Sequence, residues 1–135
     1  MEQSVQLKYL RIVLAFTGLF CIFALYPLTI YWPSGWAWHN EGQSLYLQMI
    51  LGIYMTFGVF LVIASLNPLE HLSLIWFWVW SSIVHGGIMA VQSLAYPQHR
   101  GHLFGDVAVL IISALVIAVL TPKKKMRIAS DNKNG

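Results

Sequence analysis

The sequence predicts an all-α protein, an integral membrane bundle of four transmembrane helices joined by short loops. Of its 135 residues, 58% are hydrophobic and only 10% are charged, whereas an ordinary soluble domain carries about 25% charged residues. Four apolar runs are long enough to cross a bilayer, because about 20 helical residues span the roughly 30 Å hydrocarbon core. We place these spans at residues 9–28, 45–66, 72–95 and 103–120. Residues 1–122 then form one membrane domain, and residues 123–135 form a basic, polar tail.

The first apolar run follows Lys8 and ends near Pro27. We interpret it as a span rather than a signal peptide, because it is long, no small-residue cleavage site follows it, and three further apolar runs come after it. The next residues, 30–44, combine helix-breaking Pro and Gly with aromatic side chains that favour the membrane–water boundary. A short interfacial loop is therefore expected here, containing Tyr31, Trp32, Trp36 and Trp38.

The second and third spans are separated by a very short link. Asn67, Pro68 and Glu70 form a helix-start pattern, with Asn67 as the N-cap residue and Pro68 at the first helical position. A link this short predicts that the two spans are antiparallel neighbours. Small residues four positions apart allow helices to approach closely. The packing candidates on these grounds are Gly52, Thr56, Ser82, Gly86, Ala90, Ala114 and Ala118.

The basic residues predict the orientation of the chain in the membrane. Four spans bring both ends to one side, and seven of the eight Lys and Arg residues then lie on that side, with Arg100 on the other. The positive-inside rule places both termini in the cytoplasm. The segment from Lys123 to Arg127 is expected to be attracted to anionic lipid headgroups. The few basic residues give no indication of nucleic-acid binding.

Polar residues gather in the half of the bundle opposite the termini. His85 lies in the middle of the third span, and Gln92, seven residues later, points the same way on a helix. Polar groups at membrane depth must find partners inside the bundle. Two interpretations stay open: a small polar pocket that opens outward above His85, or a buried hydrogen-bond network that fixes helix register. The pocket candidates are His85, Gln92, Asp106, Gln48, His102 and Arg100.

Metal binding is a narrower hypothesis for the same region. His39, His99, His102 and Asp106 have suitable ligand chemistry, but no compact metal signature joins them, so no metal or other cofactor is expected. A small exporter would need a carboxylate near mid-membrane. Asp106 is too close to the end of its span for that role. The lone Cys21 gives no disulfide.

Several strings resemble a family of small, four-span bacterial membrane proteins known only as a domain of unknown function. They are YLRIVLAFTGLF from Tyr9, YWPSGWAWH from Tyr31, YLQMILGIY from Tyr46, LIWFWVWSSIVHGGIMAVQ from Leu74 and HRGHLFGD from His99. The resemblance implies a four-helix bundle in a bacterial inner membrane, and it brings no activity and no catalytic residues.

The sequence therefore favours a non-enzymatic accessory or binding protein of the inner membrane, which packs with itself or with a larger membrane protein through its small-residue faces. The alternative is a redox or small-molecule-binding protein that uses the polar cluster to hold a quinone, a lipid or a metal.

Overall fold

The computed structural model describes residues 3–38 and 44–122, and within them every regular element is helical. The predicted all-α fold is confirmed, and four segments are long and apolar enough to cross a membrane. The helices are α1 (Gln3–Phe23), α2 (Leu25–Tyr31), α3 (Pro33–Trp36), α4 (Leu45–Leu66), α5 (Leu72–Ala95) and α6 (Asp106–Leu120). Two 3₁₀ segments, Pro68–His71 and Pro97–Phe104, precede α5 and α6.

The first span starts earlier and breaks sooner than its apolar run suggests. The sequence predicts this span at residues 9–28, whereas α1 begins at Gln3 and ends at Phe23. Proline has no N–H, and its ring clashes with the carbonyl four residues earlier. For Pro27 that carbonyl belongs to Phe23, and the helix restarts at Leu25 as α2. The break at Ala24 therefore follows from Pro27.

The helix-start pattern at Asn67 and Pro68 begins a 3₁₀ turn and not, as predicted, the α-helix of the third span. Asn67 makes no side-chain capping bond, and Pro68 begins a 3₁₀ turn that runs to His71. The backbone carbonyl of Asn67 accepts from the Glu70 N–H at 3.2 Å. Helix α5 then occupies Leu72–Ala95, the residues predicted for the third span.

The fourth span is made of two pieces instead of one helix over 103–120. Helix α6 has 15 residues, which is about 22 Å at 1.5 Å per residue and shorter than the hydrocarbon core. The eight-residue 3₁₀ segment Pro97–Phe104 adds about 16 Å at 2 Å per residue. His102 and Asp106 thus lie at a junction between two helix types.

The helices pack most extensively as two pairs, α1 with α4 and α5 with α6. In the first pair the backbones of Gly18 and Gly58 meet. A Cβ atom on either glycine would lie 2.6 Å from the carbonyl oxygen of the other. In the second pair, a Cβ atom on Gly86 would lie 2.9 Å from a methyl of Ile111. Only hydrogen side chains permit these separations.

The predicted packing residues fall on different surfaces. Gly52 and Thr56 are exposed, and nothing lies within 4 Å of a Cβ placed on Gly52. Thr56 donates its hydroxyl to the Gly52 carbonyl of its own helix at 2.9 Å. On the other helices, Ser82, Gly86 and Ala114 are buried, while Ala90 and Ala118 are half-buried against the core.

Helices α4 and α5 are consecutive, but they contact each other mainly through aromatic side chains. The ring of Phe57 stacks on Phe77 with centroids 5.5 Å apart, and Tyr54 meets Trp78 edge-on at 6.0 Å. The backbones of these two helices are therefore held apart, and the space between them belongs to the cavity described below.

The two ends of the described chain lie at the same end of the bundle. The Gln6 side-chain amide, near the start of α1, donates to the Val119 carbonyl near the end of α6 at 3.3 Å. We call this the terminal end and the opposite end the cap end. Lys123, Arg127 and the rest of the basic tail lie outside the described residues.

Candidate functional site

The cap end is built from two segments that are far apart in the chain. We define the cap as α3, Ala37, Trp38 and the 3₁₀ segment Pro97–Phe104. Residues 30–44 were expected to form a loop on the membrane surface, but Pro33 begins the one-turn helix α3. Proline suits this first helical position, because its missing N–H would have no partner inside the helix. Helix α3 packs against Pro97–Phe104, so these two segments form one unit.

Glycines make this docking close. A Cβ atom on Gly105 would overlap the backbone carbonyl of Gly35, and one on Gly101 would overlap that of Ser34. Backbone atoms cannot turn aside as a flexible side chain can, so both positions need glycine for contact at this distance. The contact positions the following residues, Trp36 and Trp38, over the interior of the bundle.

The aromatic side chains of residues 31–38 differ widely in their exposure to solvent. Tyr31 is 85% exposed and Trp32 is 43% exposed, as expected for boundary side chains. Trp36 is buried, and its ring lies 5.8 Å from that of Phe20. Trp38 is half-buried. Trp36 and Trp38 therefore pack within the protein, whereas Tyr31 and Trp32 face outward.

Asp106 is the centre of the cap's hydrogen bonding. Its carboxylate accepts from the Trp38 indole N–H at 2.9 Å and from the backbone N–H of Val107 at 2.8 Å. Nδ1 of His102 lies 3.1 Å and 3.2 Å from the two carboxylate oxygens. A buried carboxylate is costly unless its oxygens are bonded. Three groups satisfy this carboxylate, and the ionisable side chain among them is that of His102.

Ring stacking completes the same cluster. The Trp38 ring stacks on His102 with centroids 4.2 Å apart and on His99 with centroids 5.0 Å apart. His102 is only 1% exposed, although it belongs to a connecting segment. Trp38 thus contacts both histidines and the aspartate, which ties the first connecting segment to the start of α6. We call Trp38, His99, His102 and Asp106 the cap cluster.

A cavity of about 440 Å³ lies beneath the cap. This volume is within the range of about 300–1,000 Å³ typical of small-molecule sites. Helices α1, α4, α5 and α6 all contribute to its wall, and Trp36, Trp38, Ser44 and Asp106 line it at the cap end. Most of the remaining wall is apolar or aromatic; its deeper part includes Cys21, Leu51, Tyr54, Trp78, Met89, Leu110 and Ser113.

The predicted pocket residues divide into separate groups. His85, Gln92 and Asp106 line the cavity. The imidazole of His85 meets the Tyr54 ring edge-on at 5.8 Å, and Gln92 is exposed. Gln48 instead lines a second depression, between α4 and the α1–α2 junction, and Arg100 is exposed on the cap. The expected polar pocket is thus a mainly apolar cavity with a few polar groups.

The metal hypothesis gains no geometric support. Within residues 3–38 and 44–122, no three His, Cys, Asp or Glu side chains converge on one point that could hold an ion. His102 and Asp106 bond to each other, and His99 is used in stacking. His39 lies outside the described residues.

Two residues of the site escaped the sequence analysis. Trp36 and Trp78 both line the cavity, and the indole N–H of each is buried without a hydrogen-bond partner among the described residues. Tryptophan in an apolar span usually marks only a membrane boundary. The sequence around a tryptophan does not indicate whether its ring faces the interior of the bundle.

A family described as a family of unknown function (DUF6632) matches residues 4–134. No curated protein and no solved structure matches the chain.

Proposed function

We propose that this chain, which belongs to the DUF6632 family, is a non-enzymatic membrane protein that binds a small lipid-soluble molecule in the cavity beneath its cap. One observation carries the proposal: among the described residues, the four apolar spans surround a half-open cavity of about 440 Å³. A concave site of this volume with a mainly apolar wall is typical of small-molecule binding.

The hydrogen bonding of Asp106 supports a structural role for this residue. Asp106 is the acid that lines the cavity, and its oxygens already accept from Trp38, His102 and Val107. A general base needs a free lone pair within reach of the substrate proton. The cap cluster therefore suits a structural role, in which it closes one end of the cavity.

The bundle offers an entry route for a lipid-soluble molecule. Helices α4 and α5 pack against each other far less extensively than the α1–α4 and α5–α6 pairs, so less packing is lost when they separate. A molecule dissolved in the bilayer would enter sideways between these helices. The proposed orientation, with the cap on the outer face of a bacterial inner membrane and both termini in the cytoplasm, is supported by the charge distribution.

A cavity-filling variant tests the proposal. Ser113 lines the cavity and is half-buried, so Ser113→Leu would fill part of the space. We expect the amount of lipid-soluble molecule that co-purifies in mild detergent, measured by solvent extraction and mass spectrometry, to fall roughly ten-fold, the equivalent of about 1.4 kcal/mol.

Ser73→Leu is the matched control, because Ser73 is exposed on α5 and does not line the cavity. It should retain the wild-type amount. Wild-type protein that carries nothing beyond bulk lipid in the same experiment would contradict the proposal. It would favour the accessory role, in which the chain packs with a partner.

A further inference from the structure

We infer that the ligand is a neutral, apolar molecule with a hydroxyl group, and that this hydroxyl forms a hydrogen bond with the His85 imidazole. The inference rests on the proposed function and specifies the chemistry of its ligand. His85 lines the cavity, and among the described residues no hydrogen bond or ion pair engages it. Its ring nitrogens are accessible, unlike the indole nitrogens of Trp36 and Trp78, which are enclosed by packing.

The contacts of His85 show which way its side chain points. Its ring meets the Tyr54 ring edge-on, with centroids 5.8 Å apart. Tyr54 belongs to α4 and also lines the cavity, so the imidazole extends from α5 toward α4. Trp78 and Gln92 lie seven residues before and after His85 and line the same cavity, as expected for one face of a helix. The imidazole therefore lies on the face of α5 that forms the cavity wall.

The depth of His85 in the bundle makes an unbonded imidazole costly. The residue lies ten positions before Ala95, the last residue of α5, which is about 15 Å at 1.5 Å per residue. This distance is about half the thickness of the hydrocarbon core. A polar group at that depth needs a partner inside the protein or inside a cavity. Because the described part of the chain supplies none, the partner of His85 has to enter the cavity.

Several other polar groups of the cavity wall already have partners in the protein. The Ser113 hydroxyl donates to the Leu110 carbonyl at 3.0 Å, and the Thr29 hydroxyl donates to the Tyr26 carbonyl at 2.7 Å. Asp106 is bonded within the cap cluster. A buried water needs about two to four polar partners. An apolar molecule with one hydroxyl needs a single partner, and its remaining surface contacts the apolar wall.

The chemistry of the imidazole and the charge of the wall specify the polar group of the ligand. In a neutral imidazole one ring nitrogen donates and the other accepts, so a hydroxyl can pair with either nitrogen. No Lys or Arg occurs among the described residues that line the cavity, and these are the side chains that proteins use for phosphate and carboxylate groups. A neutral long-chain alcohol is therefore favoured over a molecule with an anionic headgroup.

The test uses the full chain in a non-ionic detergent and three probes: 1-undecanol, undecane and dodecyl phosphate. The Met89 methyl resonance reports occupancy, because Met89 is buried in the cavity wall. The ring-nitrogen resonances of His85 report hydrogen bonding, and we expect 1-undecanol to shift them in a saturable way. In the wild type, 1-undecanol should bind roughly ten-fold more tightly than undecane, which lacks only the oxygen. Dodecyl phosphate should not displace it.

Substitutions of His85 test whether the imidazole causes this preference. His85→Leu removes the imidazole and should reduce the ratio of the 1-undecanol affinity to the undecane affinity about ten-fold. His85→Gln keeps a donor and an acceptor and should retain part of the ratio, and it replaces the leucine variant if that variant does not fold. His71→Leu is the matched control, because His71 precedes α5 at the terminal end and does not line the cavity. It should keep the wild-type ratio.

Three results would overturn the inference, and they differ in what they say of the proposed function. If 1-undecanol and undecane shift Met89 but the His85 resonances stay unmoved, the cavity binds apolar molecules without using the imidazole. In that case the proposed function survives. Tighter binding of dodecyl phosphate than of 1-undecanol would show that the cavity prefers an anionic ligand. If no probe shifts Met89, the cavity binds none of them, and both proposals fail.

Discussion

Replacing Gly58 with leucine is expected to lower the free energy of unfolding by about 3 kcal/mol, at the upper end of the usual cost of overpacking. The first added carbon would lie 2.6 Å from the Gly18 carbonyl oxygen and 2.8 Å from a side-chain carbon of Ile22. The α1–α4 pair is one of the two extensive helix contacts in the bundle, so the helices must separate along much of their length. Unfolding in mixed detergent micelles, followed by circular dichroism, measures the loss.

Gly52→Leu on the same helix is the matched control. Nothing lies within 4 Å of a Cβ at that position, and leucine has a higher helix propensity than glycine. Its stability should equal or slightly exceed that of the wild type. Equal stability of the Gly58 and Gly52 variants would show that α1 and α4 do not cross at the two glycines.

Asp106→Ala is the second substitution with a large expected effect, also about 3 kcal/mol. It leaves the Trp38 indole N–H and the His102 imidazole without their shared acceptor, and each unsatisfied buried group costs about 1–3 kcal/mol. Asp106→Asn keeps one acceptor oxygen and should lose less. Chemical denaturation monitored by tryptophan fluorescence measures the series.

Glu70→Ala is the control for loss of an acidic residue, because Glu70 is exposed at the opposite end of the bundle. A double-mutant cycle between Asp106→Ala and Trp38→Phe should give a coupling of about 1–2 kcal/mol, as found for residues in one hydrogen-bond network. Additive effects of these two substitutions would contradict the cap cluster.

The helices were predictable because lipid imposes a strong local rule. A segment in hydrocarbon must satisfy its own backbone, so long apolar runs become helices. Helices α4 and α5 accordingly cover the residues predicted for spans two and three. The first and fourth spans differ from their predicted bounds. Pro27 breaks the first span, and the fourth span begins as the 3₁₀ segment Pro97–Phe104, which contains Gly101.

Which faces pack could not be predicted from spacing alone. Gly52 and Thr56 match a small-residue pattern, yet they face outward. Gly18 and Gly58 meet directly, although neither has a small residue four positions away. The rotation of each helix about its own axis decides which of its residues face a neighbouring helix. That rotation depends on all four helices together.

The cap was only partly predictable for the same reason. The sequence indicated His102 and Asp106 together, as candidates for the pocket and for a metal site. It did not indicate that Trp38, 68 residues earlier in the chain, bonds to the same carboxylate. That contact depends on the docking of Gly35 against Gly105, which no local pattern signals.

Native mass spectrometry of the protein released from detergent tests most directly whether the chain encloses a ligand. We expect wild-type protein to retain one small lipid-soluble molecule per chain, Ser73→Leu to retain it too, and Ser113→Leu to appear at the bare mass. Bare wild-type protein under conditions that preserve the fold, or a ligand retained equally by the Ser113 variant, would contradict it.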